Sequence, residues 1–241
     1  MAPNFRRPRG GRAAAPRLIV VALLSALSAP AAAQVAAAVS LDSDDRFRGV
    51  SLSDRRPTAS LSLSFDHESG LYAGVSASAA DIRYEGLQAI DVTAYAGYAG
   101  RLAGGGSWDV GATTARVAYY DYGRRQASYT ELYVGASGQT LSARLYYSPH
   151  YFVSGASTVY GEVNAAIRLP RPWRLFGHAG LLTPLSGPDR RELYDLRAGV
   201  AADLGRTELR AAWTKSAPDA AYLYGPGRAG DALVVGASYY F

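Results

Sequence analysis

Long polar connections and short turns alternate along this chain. Twelve segments with apolar residues at every second position begin near residues 35, 58, 70, 89, 107, 128, 140, 157, 172, 192, 206 and 231. Connections after odd-numbered segments are long and polar, as in DDRFRGVSLSDRR, whereas those after even-numbered segments are tight, as in HESG, AGGG and LPRP. A barrel with long loops at one rim and short turns at the other produces this parity, and a Greek-key sandwich does not. The parity predicts an all-β fold, an antiparallel up-and-down β-barrel of about twelve strands.

The length of the segments indicates that this barrel crosses a membrane. Many are about ten residues long, which is what a tilted strand needs to cross a bilayer. A soluble sandwich also alternates polar and apolar residues, so the alternation alone does not decide between the two. No later stretch has the length and apolar character of a transmembrane helix. We therefore expect transmembrane β strands, with a soluble periplasmic sandwich as the alternative.

The first 33 residues have the order of a secretory signal peptide. Five arginines and no acidic residue precede the apolar run LIVVALLSAL, and small residues follow as far as Ala33. Charged, apolar and small residues in this order are typical of a cleaved export signal. The alternative is an uncleaved anchor helix, but the apolar run is short for the roughly 20 residues that span a bilayer. We expect residues 1–33 to be the signal peptide and residues 34–241 the barrel. Removal of the five arginines takes the formal charge from +5 to zero, so no nucleic-acid partner is expected.

The chain contains no cysteine. An exported protein without cysteine has neither disulfides nor a lipid anchor at its cleavage point. Stability must therefore come from a packed core or a closed sheet.

The chain ends on an alternating stripe, VVGASYYF. Tyr239 and Phe241 share a face with the apolar residues at every second position before them. This ending resembles the C-terminal signature of outer-membrane barrels, and the resemblance implies recognition by the barrel-assembly machinery.

Aromatic residues cluster near the predicted strand ends, where the rings of a barrel meet the lipid headgroups. Tyrosine is also a good strand former, which is the alternative explanation. The clusters are Tyr119, Tyr120 and Tyr122; Tyr146, Tyr147, Tyr151 and Phe152; Tyr222 and Tyr224; and Tyr239, Tyr240 and Phe241.

Charged residues of the strands fall on the face opposite the apolar stripe. A charge facing lipid near the membrane midplane costs about 2–4 kcal/mol, so these side chains are expected to line the lumen. They are Asp91, Glu131, Glu162, Asp195, Asp203, Glu208, Arg144, Arg168, Arg174, Arg197, Arg210 and His178. Six acids against five arginines predict weak ion selectivity. Pairing across the lumen would narrow or fill it.

Catalytic and metal-binding patterns are weak. His67 lies in a predicted turn, His150 begins a long loop and His178 faces the lumen. None has a second histidine or a cysteine at metal-ligand spacing, so we expect no metal and no cofactor. A lipid-modifying hydrolase with a serine–histidine pair is an alternative that no residue pattern supports. We do not expect an enzyme.

The stretch from Asp45 to Ser78 contains FRGVS, a D-x-x-P-A-like continuation from Asp54 to Ala59, and HESGLYAG. With these motifs it is similar to the N-terminal part of the TorF-like family of proteobacterial outer-membrane porins. AYAGYAG and YSPHYF, further along, match the style of the family. The motif residues are Phe47, Arg48, Gly49, His67, Glu68, Ser69 and Gly70. The resemblance implies a small outer-membrane barrel with a porin role, and it supplies no catalytic residues to carry over. The chain departs from the family pattern at Asp44 and Asp45, where aromatic residues are usual, and in shorter, arginine-rich loops.

The segment around FRGVS has two interpretations. Arginines and aspartates alternate here, from Asp44 to Arg56. The segment either folds back into the lumen as a constriction or forms a solvated outer loop that binds lipopolysaccharide phosphates. The sequence slightly favours the solvated loop.

Together these features predict passive diffusion of small polar solutes through a mixed-charge lumen in the outer membrane of a Gram-negative bacterium. The expected partners are outer-membrane lipid, lipopolysaccharide, the assembly machinery and the solutes. The alternative is a structural or surface barrel without an open channel.

Overall fold

Twelve strands close into one antiparallel barrel in the computed structural model, which describes residues 33–82, 86–118, 127–152, 156–187, 191–220 and 228–241. Two further short strands, β2 (Arg46–Phe47) and β3 (Val50–Ser51), pair only with each other. The barrel strands are β1 (Ala33–Asp42), β4 (Thr58–His67), β5 (Leu71–Ile82), β6 (Gly86–Arg101), β7 (Ser107–Val117), β8 (Ala127–Ser137), β9 (Leu141–Tyr151), β10 (Ala156–Arg168), β11 (Trp173–Pro184), β12 (Leu193–Leu204), β13 (Thr207–Ser216) and β14 (Ala232–Tyr240).

The first and last strands close the barrel. β1 pairs with β14 from Ala38 opposite Tyr240 to Asp42 opposite Gly236, and with β4 along its whole length. The backbone N–H of Phe241 donates to the carbonyl of Ala37 at 3.0 Å. A closed sheet leaves no unpaired edge, which is the condition for a sheet in hydrocarbon.

The predicted fold is confirmed, and each predicted strand start lies within three residues of the observed one. The prediction was wrong at two connections. His150 was predicted to begin a long loop but lies in β9, which continues to Tyr151. The second error is at the connection after β5. DIRYEGLQ was predicted as a long loop, but β5 continues to Ile82 and β6 begins at Gly86. Pairing of these two strands continues to Ile82 opposite Gly86, so most of the predicted loop is strand.

The outer wall of the barrel is apolar. Leu61, Val75, Leu181 and Leu233 are among the large apolar side chains that remain 41–72% exposed. Buried charged side chains of other barrel strands, among them Asp109, Glu131 and Asp195, lie on the opposite face of the sheet. Alternation of side chains along each strand produces this separation.

A β-bulge changes the face of Ile90. Ser78 pairs with Asp91 and Ala79 pairs with Ala89, which leaves Ile90 as the extra residue. The alternation predicted Ile90 on the same face as Val92, yet Ile90 is 0% exposed and Val92 is 46% exposed. A bulge shifts the register of one strand by a residue, so Ile90 turns into the interior.

No helix in the described ranges is long and apolar enough to cross a bilayer. The expected signal peptide falls almost wholly on residues 1–32, which lie outside the described part of the chain.

Candidate functional site

The FRGVS segment forms a β-hairpin, here called the inner hairpin (residues 46–51). Phe47 pairs with Val50, and the two residues between them both have positive φ, 48° at Arg48 and 74° at Gly49. A two-residue turn of this kind matches the twist of the strands it joins, and glycine adopts positive φ without steric cost. The sequence Phe-Arg-Gly-Val therefore reverses the chain and places Arg48 at the tip.

The inner hairpin is buried inside the barrel. Val50 and Ser51 are 0% exposed and Leu52 is 4% exposed. Val50 and Leu52 belong to a buried apolar cluster that includes Ile90 and Leu182 of the barrel strands. The preference for a solvated loop was therefore wrong. Burial of these apolar side chains favours the inward-folded alternative, and the charges of the hairpin find partners inside the barrel.

Arg48 attaches the hairpin tip to three adjacent strands. Its guanidinium donates two hydrogen bonds to the Glu131 carboxylate of β8, at 2.9 and 2.7 Å, and one to the Tyr151 hydroxyl of β9 at 2.9 Å. It also lies 3.7 Å from the ring centroid of Tyr160 on β10. The Arg48 and Glu131 side chains are only 8% and 2% exposed, so loss of one partner would leave a buried charge unpaired.

Gly49 contacts the other side of the interior. A β-carbon at Gly49 would lie 2.8 Å from the carbonyl oxygen of Lys215 and 3.0 Å from the β-carbon of Asp195. These residues belong to β13 and β12, whereas Arg48 reaches β8, β9 and β10. The inner hairpin therefore spans the barrel interior from one wall to another.

Asp44 holds the base of the hairpin. Its carboxylate accepts hydrogen bonds from Arg46 Nε at 2.7 Å, from Ser51 Oγ at 2.6 Å and from Ser53 Oγ at 3.0 Å. Arg46 also donates to the carbonyl of Gly230 at 3.0 Å. This departure from the TorF-like pattern thus has a structural role in the inward fold.

Asp45, which lies between β1 and β2, carries a perturbed carboxyl group. Its burial raises the pKa of Asp45 to about 6, and the nearby carboxylates of Asp91, Asp42 and Asp44 add to the rise. A hydrogen bond with Ser78 acts in the opposite direction. Burial without a cationic partner favours the neutral form of a carboxyl group.

Several aromatic residues assigned to the membrane interface lie inside the barrel instead. Tyr151 is 0% exposed, Phe152 is 8% exposed, and the Tyr146 ring centroid lies 5.9 Å from that of Tyr160. Phe152 has a φ of 48°, which indicates a sharp local change in chain direction. The belt assignment of Tyr146, Tyr151 and Phe152 was therefore wrong. Tyr147, Tyr239, Tyr240 and Phe241 are 43–61% exposed, and the clusters at Tyr119, Tyr120 and Tyr122 and at Tyr222 and Tyr224 lie outside the described residues.

A cavity of about 850 Å³ adjoins the inner hairpin inside the barrel. Arg46, Phe47, Arg48 and Gly49 form part of its wall, and the short connection between β8 and β9 forms another part. The predicted lumen residues that line it are Glu162, Arg174, His178, Asp195, Arg197, Glu208 and Arg210.

Most charges of the cavity are paired. Arg210 donates to both oxygens of the Asp42 carboxylate at 2.6 Å, and Arg174 pairs with Glu208. These bidentate and short contacts between ionised groups are the stronger class of hydrogen bond. The interior is thus lined by a connected set of ion pairs.

His178 lies in a separate polar group. Its Nε2 lies 2.7 Å from an Asp195 oxygen, and its Nδ1 lies 2.7 Å from the Asn164 amide oxygen. The Tyr160 hydroxyl donates to Asp195 at 3.0 Å. Both ring nitrogens of His178 are therefore engaged.

The remaining predicted lumen residues occupy varied positions. Arg144 pairs with Asp109 at 2.8 Å, and Asp203 lies 3.5 Å from Arg174. Asp91 accepts a hydrogen bond from Thr93 at 3.1 Å. Arg168 is exposed at the end of β10, where it is opposite Arg174 in register.

Sequence reasoning missed Asp42 and Asp109. Tyr72 donates to Asp109 at 2.9 Å and lies 2.8 Å from the Tyr133 hydroxyl, so Asp109 joins two tyrosines and Arg144 in one interior cluster. The alternation along β7 could have identified Asp109. Trp108 and Val110 face outward, so Asp109 between them faces the interior.

The HESG motif builds a turn. The Ser69 N–H donates to His67 Nδ1 at 3.1 Å, and Gly70 has a φ of 96°. A β-carbon at Gly70 would clash with the Ala99 carbonyl oxygen. The motif residues from His67 to Gly70 thus fit a tight connection between β4 and β5, and His67 caps it. In the described ranges, no group of three histidine, cysteine, aspartate or glutamate side chains is placed to hold a metal.

Comparison with known structures shows the same fold in porins. The KdgM porin has a TM-score of 0.52 and 11% identity, with 86% of this chain and 99% of that chain covered. The NanC porin has a TM-score of 0.55 at 11% identity, with the same coverage. None of the curated proteins compared with the chain matches it. The model of the family described as "Bacterial protein of unknown function (Gcw_chp)" matches residues 26–236, and the chain belongs to this family.

Proposed function

We propose that this chain is a TorF-like outer-membrane porin that allows passive diffusion of small polar solutes. Residues 1–33 would direct export and be cleaved, and the barrel-assembly machinery would insert the barrel into a Gram-negative outer membrane containing lipopolysaccharide. The shared fold of the KdgM and NanC porins supports the proposal, as does the apolar outer wall. We propose no catalytic role for the chain.

The observation that carries the proposal is the charged cavity inside a closed barrel. Its acids and arginines provide hydrogen-bonding groups that can replace the hydration of a small polar solute in transit. The pairing of Arg210 with Asp42 and of Arg174 with Glu208 neutralises most of this charge. Weak ion selectivity follows from that balance.

The inner hairpin sets the width of the path. It spans the interior between Glu131 on one side and Asp195 on the other, and its Phe47 and Arg48 line the cavity. A solute must pass this hairpin, so the native channel is expected to have a small conductance.

Planar-bilayer recording tests the porin proposal. Mature protein is refolded in detergent, checked for the heat-dependent gel shift of a folded barrel, and added to the bilayer at micromolar concentration or below. Discrete conductance steps are expected. Correctly folded protein that gives no steps would exclude an open porin.

A closed surface barrel is the second candidate, and the apolar packing around the hairpin favours it. Val50, Leu52, Ile90 and Tyr151 are all nearly inaccessible to solvent in one cluster. If this cluster seals the lumen, the native protein gives no conductance steps, and removal of the hairpin produces them.

A further inference from the structure

Arg197 and Thr214 are cross-strand neighbours on β12 and β13, and both line the cavity. The Nε of Arg197 and the Oγ1 of Thr214 are buried and have no hydrogen-bond partner in the described part of the chain. Thr214 is only 3% exposed. Buried polar groups in native proteins nearly always have partners. An unpartnered donor beside an unpartnered hydroxyl in one cavity therefore points to a ligand.

The charge on Arg197 is also uncompensated. Four other arginines that line the cavity each have a carboxylate partner: Arg46, Arg48, Arg174 and Arg210. Arg197 forms no ion pair with any of the described residues. The carboxylates near it, Asp42 and Glu208, already bind Arg210 and Arg174. Among the described residues, the charge of Arg197 therefore has no carboxylate of its own to neutralise it.

The neighbours of Arg197 restrict where its guanidinium can lie. The guanidinium carbon lies 5.4 Å from the ring centroid of Phe176, which also lines the cavity. His178, the register neighbour of Arg197 on β11, is already engaged by Asp195 and Asn164. A planar guanidinium held against a ring presents fixed donors, and this geometry suits a carboxylate.

Two other anionic groups of the cavity, Glu162 and Asp195, already have hydrogen-bonding partners. Glu162 is on β10, two strands from Arg197, and accepts a hydrogen bond from Tyr146 at 3.2 Å. Asp195 is two residues from Arg197 on β12 and is bound by Tyr160 and His178. A solute that carries one carboxylate would therefore be oriented with that group toward Arg197.

We propose that Arg197 and Thr214 form a binding subsite for small solutes that carry a carboxylate. The guanidinium supplies charge and donors, and the Thr214 hydroxyl donates a further hydrogen bond to the same group. This inference rests on the proposed passage of small polar solutes, because it names the class of solute that the cavity retains.

Binding of D-glucuronate and D-glucose to the folded mature protein in detergent tests the subsite. The two sugars differ at one carbon, which is a carboxylate in the first and a hydroxymethyl group in the second. Titration calorimetry should detect D-glucuronate binding at least tenfold tighter than D-glucose binding. Arg197→Gln should weaken D-glucuronate binding about tenfold or more, because a charged hydrogen-bond partner is lost. Thr214→Val should weaken it about threefold or more.

Two further variants complete the test. Arg206→Gln removes one positive charge from the exposed turn before β13 and should leave D-glucuronate binding unchanged. Arg197→Lys keeps the charge but loses the planar fork, so an intermediate affinity is expected, and it serves as the test if Arg197→Gln does not fold. Equal affinity for the two sugars, or unchanged D-glucuronate binding in the Arg197 variants, would overturn the proposal. The assay needs no bilayer, so its result is independent of whether the barrel conducts.

Discussion

Arg48 and Glu131, 83 residues apart in the chain, form a buried ion pair with two hydrogen bonds inside the barrel. The pair attaches the tip of the inner hairpin to β8. It explains how a charged segment with the composition of a surface loop folds inward. The apolar side chains of the segment are buried inside the barrel. The Arg48 charge at its tip is paired with the Glu131 carboxylate by two hydrogen bonds.

Replacement of Arg48 by alanine is expected to release the hairpin. Glu131 would be left as a buried, unpaired carboxylate, and such a break costs about 3 kcal/mol or more. We expect a lower free energy of unfolding in denaturant titrations and a larger single-channel conductance. Arg55→Ala removes an exposed arginine that donates to the Ala229 carbonyl, and it should change the free energy of unfolding by less than about 0.5 kcal/mol.

A double variant measures the interaction between Arg48 and Glu131 separately from their other contacts. Arg48→Ala combined with Glu131→Ala should lose less free energy of unfolding than the sum of the two single variants, because no unpaired charge remains. Additive losses would show that the two groups do not stabilise each other.

Gly49→Ala is expected to have a similar effect on conductance for a steric reason. The new methyl group would lie 2.8 Å from the Lys215 carbonyl oxygen, in a residue whose φ is 74°. Gly205→Ala is a matched control, since Gly205 has a φ of 69° but no neighbour within 4 Å of the added carbon. Single-channel recording should show a larger conductance for the first variant only. An equal change in the conductance of the two variants would show that backbone strain, and not the contact with Lys215, causes the effect.

The raised pKa of Asp45 predicts that docking of the inner hairpin inside the barrel depends on pH. Because the pKa of Asp45 rises from 3.8 to about 6 in the docked state, docking takes up a proton between these values. Its contribution to docking is complete below about pH 4 and is lost as the pH rises through about 6. Conductance is therefore expected to increase between pH 4 and pH 7.

Asp45→Asn should keep the hairpin docked across this range and flatten the pH response. Asp54→Asn, at an exposed position of the same connection, should respond as the native protein does. If Asp45→Asn kept the native pH response, another group would control docking.

The positions of the barrel strands were predictable because their signals are local. Period-two alternation and turn residues act within a few positions. The alternation of long and short connections then predicted that these strands form a barrel. The Phe-Arg-Gly-Val turn also carried a local signal, since a two-residue turn ending in glycine between apolar residues is typical of a hairpin.

The location of that hairpin was not a local property. The partners of Arg48 lie on β8, β9 and β10, and no sequence pattern links them. The same holds for Ile90, which a bulge turns inward, and for Tyr151, which packs in the interior beside Phe152. In the cavity, alternation indicated the inward-facing charges but not which arginine lacks a partner.

Phe241 is expected to matter for assembly. It is 61% exposed, and its ring contacts Tyr239 near the end of β14, with 5.1 Å between the ring centroids. Only its backbone N–H is hydrogen-bonded to β1, so the ring contributes little to the pairing that closes the barrel. Phe241→Ala should reduce the amount of folded protein in the outer membrane several-fold while leaving refolding in detergent unchanged. Leu233→Ala, at a 72% exposed position of the same strand, is the control. Equal outer-membrane levels of the two variants would contradict a role for Phe241 in recognition.

The most direct measurement is the single-channel conductance of the native barrel beside a variant in which a glycine-serine linker of equal length replaces residues 46–51. Both proteins must first show the heat-dependent gel shift of a folded barrel. If the inner hairpin narrows a solute path, the linker variant conducts several-fold more than the native protein. Equal conductance would contradict the constriction, and no conductance from either folded protein would contradict the porin proposal itself.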